Sequence, residues 1–434
     1  MTEIAAHSHK NWKTSFTLIW IGQACSLFGS SLVQFALVWW LTRSTSSATV
    51  LATATLIALL PGIFIGPFAG ALVDRWNRRV TMIAADGLIA LATLGLIYLA
   101  ATGAMQVWHV YAVMLIRAAA GSFHWPAMQA STSLMVPERH LPRIAGLNQT
   151  LNGAITIVAP PMGALLIGAL PLPGVLAIDV ATAALAVLPL LVVHIPQPLH
   201  RAETAARNAS VWQDTREGLR YVRAWPGLLG VLVMATLINF LLNPAFALMP
   251  LLVTKHFGGG AIQLGGLESA WGIGVVLGGL LLGVWGGFRR RVYTSMMGLI
   301  GIGLGTLIVG VAPATSFGLA VAGLFFAGFM NPITNGPLFA VLQSAVAPEM
   351  QGRVFTLIQS AALAMSPLSM IVAGPLADAL GVRVWYVAGG VVCALMGVAG
   401  FYLPAIRHME DNRTDAHSRP VEAGRAAAKV TAWP

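Results

Sequence analysis

Residues 80–102 read VTMIAADGLIALATLGLIYLAAT, and Asp86 is the one charged side chain among them. Runs of this kind recur along the chain, separated by short polar turns. A helix of about 20 apolar residues is what crossing ~30 Å of hydrocarbon requires. A helix also satisfies every backbone N–H and C=O within its own segment, which lipid demands. A membrane β-barrel would show short alternating segments instead. Charged residues make up 9% of this chain, against about 25% in soluble domains, so there are too few ions to cover a water-facing surface. The expectation is an all-α membrane protein with twelve transmembrane helices, near 15–42, 49–73, 80–102, 108–136, 144–170, 175–195, 227–254, 263–288, 292–313, 317–346, 354–380 and 384–406. The polar start MTEIAAHSHKNWK, followed by an apolar run too long for a leader, reads as the approach to the first span rather than a signal peptide.

Lysine and arginine orient these spans. With both termini inside, all but Arg43, Lys255, Arg383 and the intramembrane Arg117 fall on the inner side, as the positive-inside rule requires. The formal charge of +10 then faces anionic lipids of the inner leaflet, which removes nucleic acid as its partner. The expected location is the cell membrane, multi-pass, with cytoplasmic termini. Residues 196–226 form the longest polar interval and divide six spans (1–195) from six (227–406), with a polar tail at 407–434. Within the interval, Ser210 and Gln213 fit a capping box. Trp212, Thr215, Leu219 and Val222 then recur at helical spacing, so an amphipathic helix on the membrane surface is expected there.

The halves repeat. Pro126, Pro137 and Glu138 correspond to Pro337, Pro348 and Glu349 at one constant offset, and Arg78 and Arg79 to Arg289 and Arg290 at the same offset. Two pseudo-symmetric six-helix bundles are the natural product of such a duplication, and parallel repeats are a transporter architecture.

The turn GALVDRWNRRV (70–80) concentrates charge that the flanking runs avoid. The positive-inside rule accounts for its arginines, but not for Asp74 or for Gly62, Gly66 and Gly70 on one helical face, where another helix could approach closely. Gly70, Asp74, Arg75, Arg78 and Arg79 resemble the motif between spans two and three of the major facilitator superfamily, G-x-x-x-D-R-x-G-R-R/K. Asn77 replaces the usual Gly, and Asn tolerates positive φ best among non-glycine residues. The resemblance implies a gating latch at the inner ends of the two halves, with Asp74 set against the start of span eleven near Gly352–Val354. It extends along the chain. Arg117 and Gly121 look like the family's R-x-x-x-G element. Pro160 and Gly163 are similar to its antiporter motif, although Ile155, Ala159 and Ala164 stand where glycines are expected. WIGQACSLFGSSLVQFALVWW in span one, PAMQASTSLMVPERHL and AIDVATA are similar to the macrolide-efflux branch, whose relatives include siderophore exporters.

Ionisable groups inside the membrane are costly and therefore functional candidates. Arg117 lies near mid-span and could bias the protonation of a carboxyl nearby. Glu268 and Asp179 are the carboxylates considered with it for proton coupling; Glu268 could equally be solvated at the cavity mouth, and Asp179 could be structural. Asp86 is assigned to the inner network around Arg75–Arg79, and Asp378 to a structural role. His124 could shuttle protons or be hydrogen-bonded only. Gln34, His124, Asn239, Asn243, Asn331 and Asn335 are candidate substrate contacts, though asparagine can also serve as glue between helices. No P-loop, H-E-x-x-H or G-x-S-x-G occurs, and Cys25 and Cys393 form no metal spacing. Neither a cofactor nor a metal nor enzymatic activity is expected. The expected function is proton-coupled efflux of an amphipathic small molecule by a monomer among lipids, with a siderophore or other metabolite exporter as the alternative.

Overall fold

A computed structural model of the chain describes residues 12–193, 195, 219–223, 225–346, 348–407 and 409–410. Helices account for nearly all of them: α1 (Trp12–Thr45), α2 (Ala48–Phe64), α3 (Gly66–Arg75), α4 (Arg78–Ala101), α5 (Val107–Met135), α6 (Leu141–Ala169), α7 (Leu172–Val192), α8 (Pro226–Ala247), α9 (Ala261–Trp285), α10 (Arg291–Val311), α11 (Phe317–Ala345), α12 (Pro348–Leu380) and α13 (Arg383–Tyr402). Ten helices among the described residues are long and apolar enough to span a bilayer singly, and α2 with α3 makes an eleventh. Helix α5 has the length, 29 residues, but falls outside that set because its sequence is more polar. It carries Arg117 and His124, so the residues that weaken its apolar signal are those of interest below. The start of the expected surface helix at 210–218 lies outside the described residues; residues 219–223 are helical, with Val222 buried.

The second expected span is bent by 54° between α2 and α3. Pro67 falls in the first turn of α3, where a residue without an N–H forfeits no helical hydrogen bond, so a new helix starts there. The turn into α4 also departs from expectation. Asn77 does not take positive φ; its φ is −68°. Its side-chain oxygen accepts from Arg79 N at 3.1 Å and Val80 N at 3.3 Å, capping α4 as asparagine does well. Asn replaces Gly here as a helix cap.

Packing divides the chain into two compact units. One comprises Met1–Thr204, Ala247–Ser269 and Met370–Val382; the other comprises Ala205–Phe246, Ala270–Ser369 and Arg383–Pro434. The division cuts through α9 and α12 because their ends pack in the first unit. Gly265 of α9 lies where an added Cβ would meet Pro160 O of α6 at 2.8 Å. Ser269 Oγ donates to Ile157 O at 2.7 Å.

In the second unit α10 is sandwiched between α11 and α13 through glycine. A Cβ on Gly303 would collide with Ala394 N and meet Gly390 O at 2.7 Å; one on Gly305 would meet Gly323 O at 2.6 Å. Small residues let helix backbones touch, which is how helices associate in lipid without a hydrophobic driving force. Gly303→Leu is therefore expected to lower the thermal midpoint of the purified protein sharply, since overpacking costs about 1–3 kcal/mol or more. Gly266→Leu, at a position facing open space, should leave the midpoint unchanged.

Candidate functional site

In the first unit, polar side chains on α1, α4 and α5 recur at a spacing of seven residues: Gln23 and Ser30, Asp86 and Thr93, Arg117 and His124. Seven residues are two helical turns, about 10 Å of rise, so each helix presents its pair on one face at two depths. The sequence order is reversed on α5, which runs opposite to α1 and α4. The result is two polar layers within an apolar bundle.

The first layer is built on Asp179 of α7, which is fully buried. It pairs with Arg117 and accepts from Ser30 Oγ at 3.0 Å and Thr93 Oγ1 at 3.1 Å. Arg117 also donates to Thr93 Oγ1 at 3.2 Å and to Ser30 O at 3.3 Å. Four helices converge on one ion pair. Arginine is always charged, so the Asp179 carboxylate has a permanent cation as its partner.

The second layer is built on Asp86. Gln23 Nε2 donates to its Oδ2 at 3.2 Å. His124 Nε2 approaches its Oδ1 to 3.4 Å, an ion-pair distance without hydrogen-bond geometry. Both carboxylate and imidazole are largely buried, at 5% and 19% side-chain exposure. Here the partner is a histidine, which is a cation only when protonated. The pair carries one negative charge when histidine is neutral and none after one proton is taken up. Asp86 does not join Arg75–Arg79, as its sequence position suggested; eight residues beyond Arg78 it lies more than two turns up α4, on the face toward α1 and α5. A cavity of about 250 Å³ opens beside both layers, lined by Gln23, Ser30, Asp86, Arg117 and His124 together with Trp20 and Trp125. Trp20 Nε1 is oriented by Asn148 Oδ1 at 2.7 Å.

The second unit holds an uncharged cavity of about 350 Å³. Asn239, Asn243, Asn331 and Asn335, named from sequence on two separate spans, all line it, with Phe246 and Trp271 packed edge to face at 4.7 Å. Asn239 and Asn335 donate to backbone carbonyls one turn back, at 2.8 and 3.1 Å, and Asn243 to Ser366. Those bonds fix the amide planes and turn their carbonyl ends into fixed dipoles.

The remaining candidates are dispersed. Asp74 is 70% exposed and pairs with Arg78 at 3.4 Å. Arg78 donates to Ala130 O of α5 at 3.0 Å, and Arg79 to Leu191 O in the last turn of α7, where the helix dipole favours a cation. These arginines therefore tie four helix ends together. Arg75 is exposed. Added side chains at Gly62, Gly66 or Gly70 would meet nothing within 4 Å among the described residues. Pro160 and Gly163 sit at crossings of α6 with α9 and α1; a Cβ on Gly163 would touch Phe35 at 3.0 Å. Glu268 is half-buried on α9 and Gln34 is exposed on α1; neither lines the two cavities just described. Sequence reading missed Gln23 and misassigned Asp86. The available signal was a carboxylate two turns inside an apolar run with a histidine on the next helix.

A family model described as Major Facilitator Superfamily matches residues 19–362 and 231–433. Macrolide efflux protein A of Streptococcus pyogenes is 34% identical over 402 residues, covering 93% of this chain and 99% of that protein. The multidrug efflux pump Tap of Mycolicibacterium fortuitum is 26% identical over 392 residues, covering 88% and 94%. Among solved structures, the nucleoside transporter NupG superposes with a TM-score of 0.66 at 14% identity, covering 90% of this chain and 99% of its own. A D-xylose–proton symporter superposes with 0.64 at 15%, covering 89% and 97%.

Proposed function

Since this chain belongs to the major facilitator superfamily, we propose that it is a secondary active efflux transporter. It exchanges protons for hydrophobic or amphipathic organic compounds of drug or macrolide type, by alternating access of two six-helix bundles. It works as a monomer in the cell membrane with both termini in the cytoplasm, an orientation supported by the distribution of lysine and arginine.

The observation that carries proton coupling is the buried Asp86–His124 pair beside the Arg117–Asp179 pair. A coupling site must change charge when it binds a proton, inside a region where charge is expensive. Asp179 is matched by a permanent cation and two hydroxyl donors. Asp86 is matched by a histidine, whose charge depends on whether it holds a proton. We therefore assign the proton to the Asp86–His124 pair, with Arg117 and Asp179 as the fixed charges that hold the four helices around it. The apolar, amide-lined cavity of the second unit suits the body of an amphipathic substrate, because apolar walls with a few oriented polar groups are the usual make-up of such sites.

Protonation and substrate then act by population shift: each binds one access state better than the other, and that difference alone drives the exchange. Inside-out vesicles carrying an imposed pH gradient test this. Addition of a macrolide or lipophilic dye should dissipate the gradient in a protein-dependent manner. Substrate movement that leaves the gradient intact would show a uniporter instead.

A further inference from the structure

We propose that Asp378 is a positioning residue for transport: a releasable catch that holds α12 to the N-terminus of α2 in one access state and lets go in the other. The proposal rests on the alternating-access reading above, but concerns groups that neither the proton nor the substrate touches.

Helix α2 begins at Ala48, and the first amides of a helix have no partner within it. Ser47 is the N-cap, its Oγ accepting from Val50 N at 3.4 Å. The amides of Ala48 and Thr49 are met instead by a carboxylate 330 positions away in sequence. Ala48 N donates to Asp378 Oδ1 at 2.7 Å and Thr49 N to Oδ2 at 3.0 Å. The hydroxyls of Ser47 and Thr49 add bonds to Oδ2 at 3.1 and 2.8 Å. An anion at this place is also favoured by the helix dipole. One turn back along α12, Gly374 allows the approach: a Cβ there would meet Thr49 Cα at 2.6 Å.

Exposure is what makes this contact a catch. Asp378 and Thr49 are both exposed, so water can replace the three bonds on Oδ2 as they break, and net hydrogen-bond energies are small under that exchange. The Arg117–Asp179 pair is far less exposed, at 10% and 0%. The span formed by α2 and α3 thus bears a carboxylate contact at either end. At the α3 end Asp74 is exposed and bonded to Arg78 of its own turn; at the α2 end the carboxylate of Asp378 is engaged across two helices.

The test separates a catch from an ordinary helix cap. Ala377, 4% exposed, is replaced by cysteine in a Cys25→Ser/Cys393→Ser background, and its maleimide labelling is followed in nanodiscs, where both faces are accessible. Asp378→Asn keeps the size but substitutes an NH₂ for one acceptor. It should raise the labelling rate several-fold and slow efflux, while Asp378→Glu retains most of the wild-type behaviour. Adding Ser47→Asp gives α2 a local anionic cap. The double variant Ser47→Asp/Asp378→Asn should recover thermal stability yet remain fast-labelling and slow in transport. Wild-type labelling in Asp378→Asn, or recovery of labelling and transport together in the double variant, would overturn the proposal. Because labelling requires neither substrate nor a pH gradient, a failure here is distinguishable from a failure of proton coupling.

Discussion

Asp86→Asn is expected to abolish substrate-induced collapse of a pH gradient while leaving the protein folded and able to bind substrate. Asparagine has the shape of aspartate and still offers an oxygen to Gln23 Nε2, now 3.2 Å from the carboxylate. The fold should therefore lose about 1 kcal/mol, the net worth of weakening one hydrogen bond. What asparagine cannot do is bind a proton. The charge of the second polar layer would then follow His124 alone, and the difference between access states that protonation creates would be lost. In inside-out vesicles the dye signal on adding substrate should fall to that of empty vesicles. Wild-type proton flux in this variant would remove Asp86 from the path and return attention to Glu268.

The second large effect is on stability. Arg117→Met should leave Asp179, at 0% exposure, with two hydroxyl donors and no compensating charge. Breaking a buried pair by removing one partner costs about 3–5 kcal/mol. Four helices meet at this pair, so folding yield in the membrane should drop and the thermal midpoint of purified protein should fall with it. The decisive comparison is Arg117→Met/Asp179→Leu. Replacing both ions with apolar groups is often neutral or stabilising, so the double variant should regain most of the midpoint lost in the single one. Coupled transport is expected to remain impaired, because the fixed charges beside Asp86 are gone. A double variant as unstable as the single one would mean that Arg117 is held by something other than its ion pair.

The cases of Asp179, Asp86 and Asp378 show how far residues in apolar runs can be read without a structure. All three are carboxylates in or beside such runs, and by composition they are equivalent. Asp179 is a buried anchor, Asp86 one half of a carboxylate–histidine pair, and Asp378 an acceptor for the first amides of a helix whose start lies 330 positions away. Their differences come from partners on other helices. Asn239, Asn243, Asn331 and Asn335 are named on the resemblance together with Gln34 and His124; the four asparagines line one cavity, whereas His124 lines the other and Gln34 neither.

The sequence by itself determined the class: helices of bilayer length and the family. These are properties of single segments, since lipid forces each backbone to satisfy its own hydrogen bonds within about 20 residues. Tertiary structure alone decided the bend between α2 and α3, the capping role of Asn77, the two polar layers, and the placement of the ends of α9 and α12 in the first unit. In those features each group's state depends on which helix face it meets. A periodic apolar sequence presents many faces of similar hydrophobicity, and only the packed arrangement selects among them.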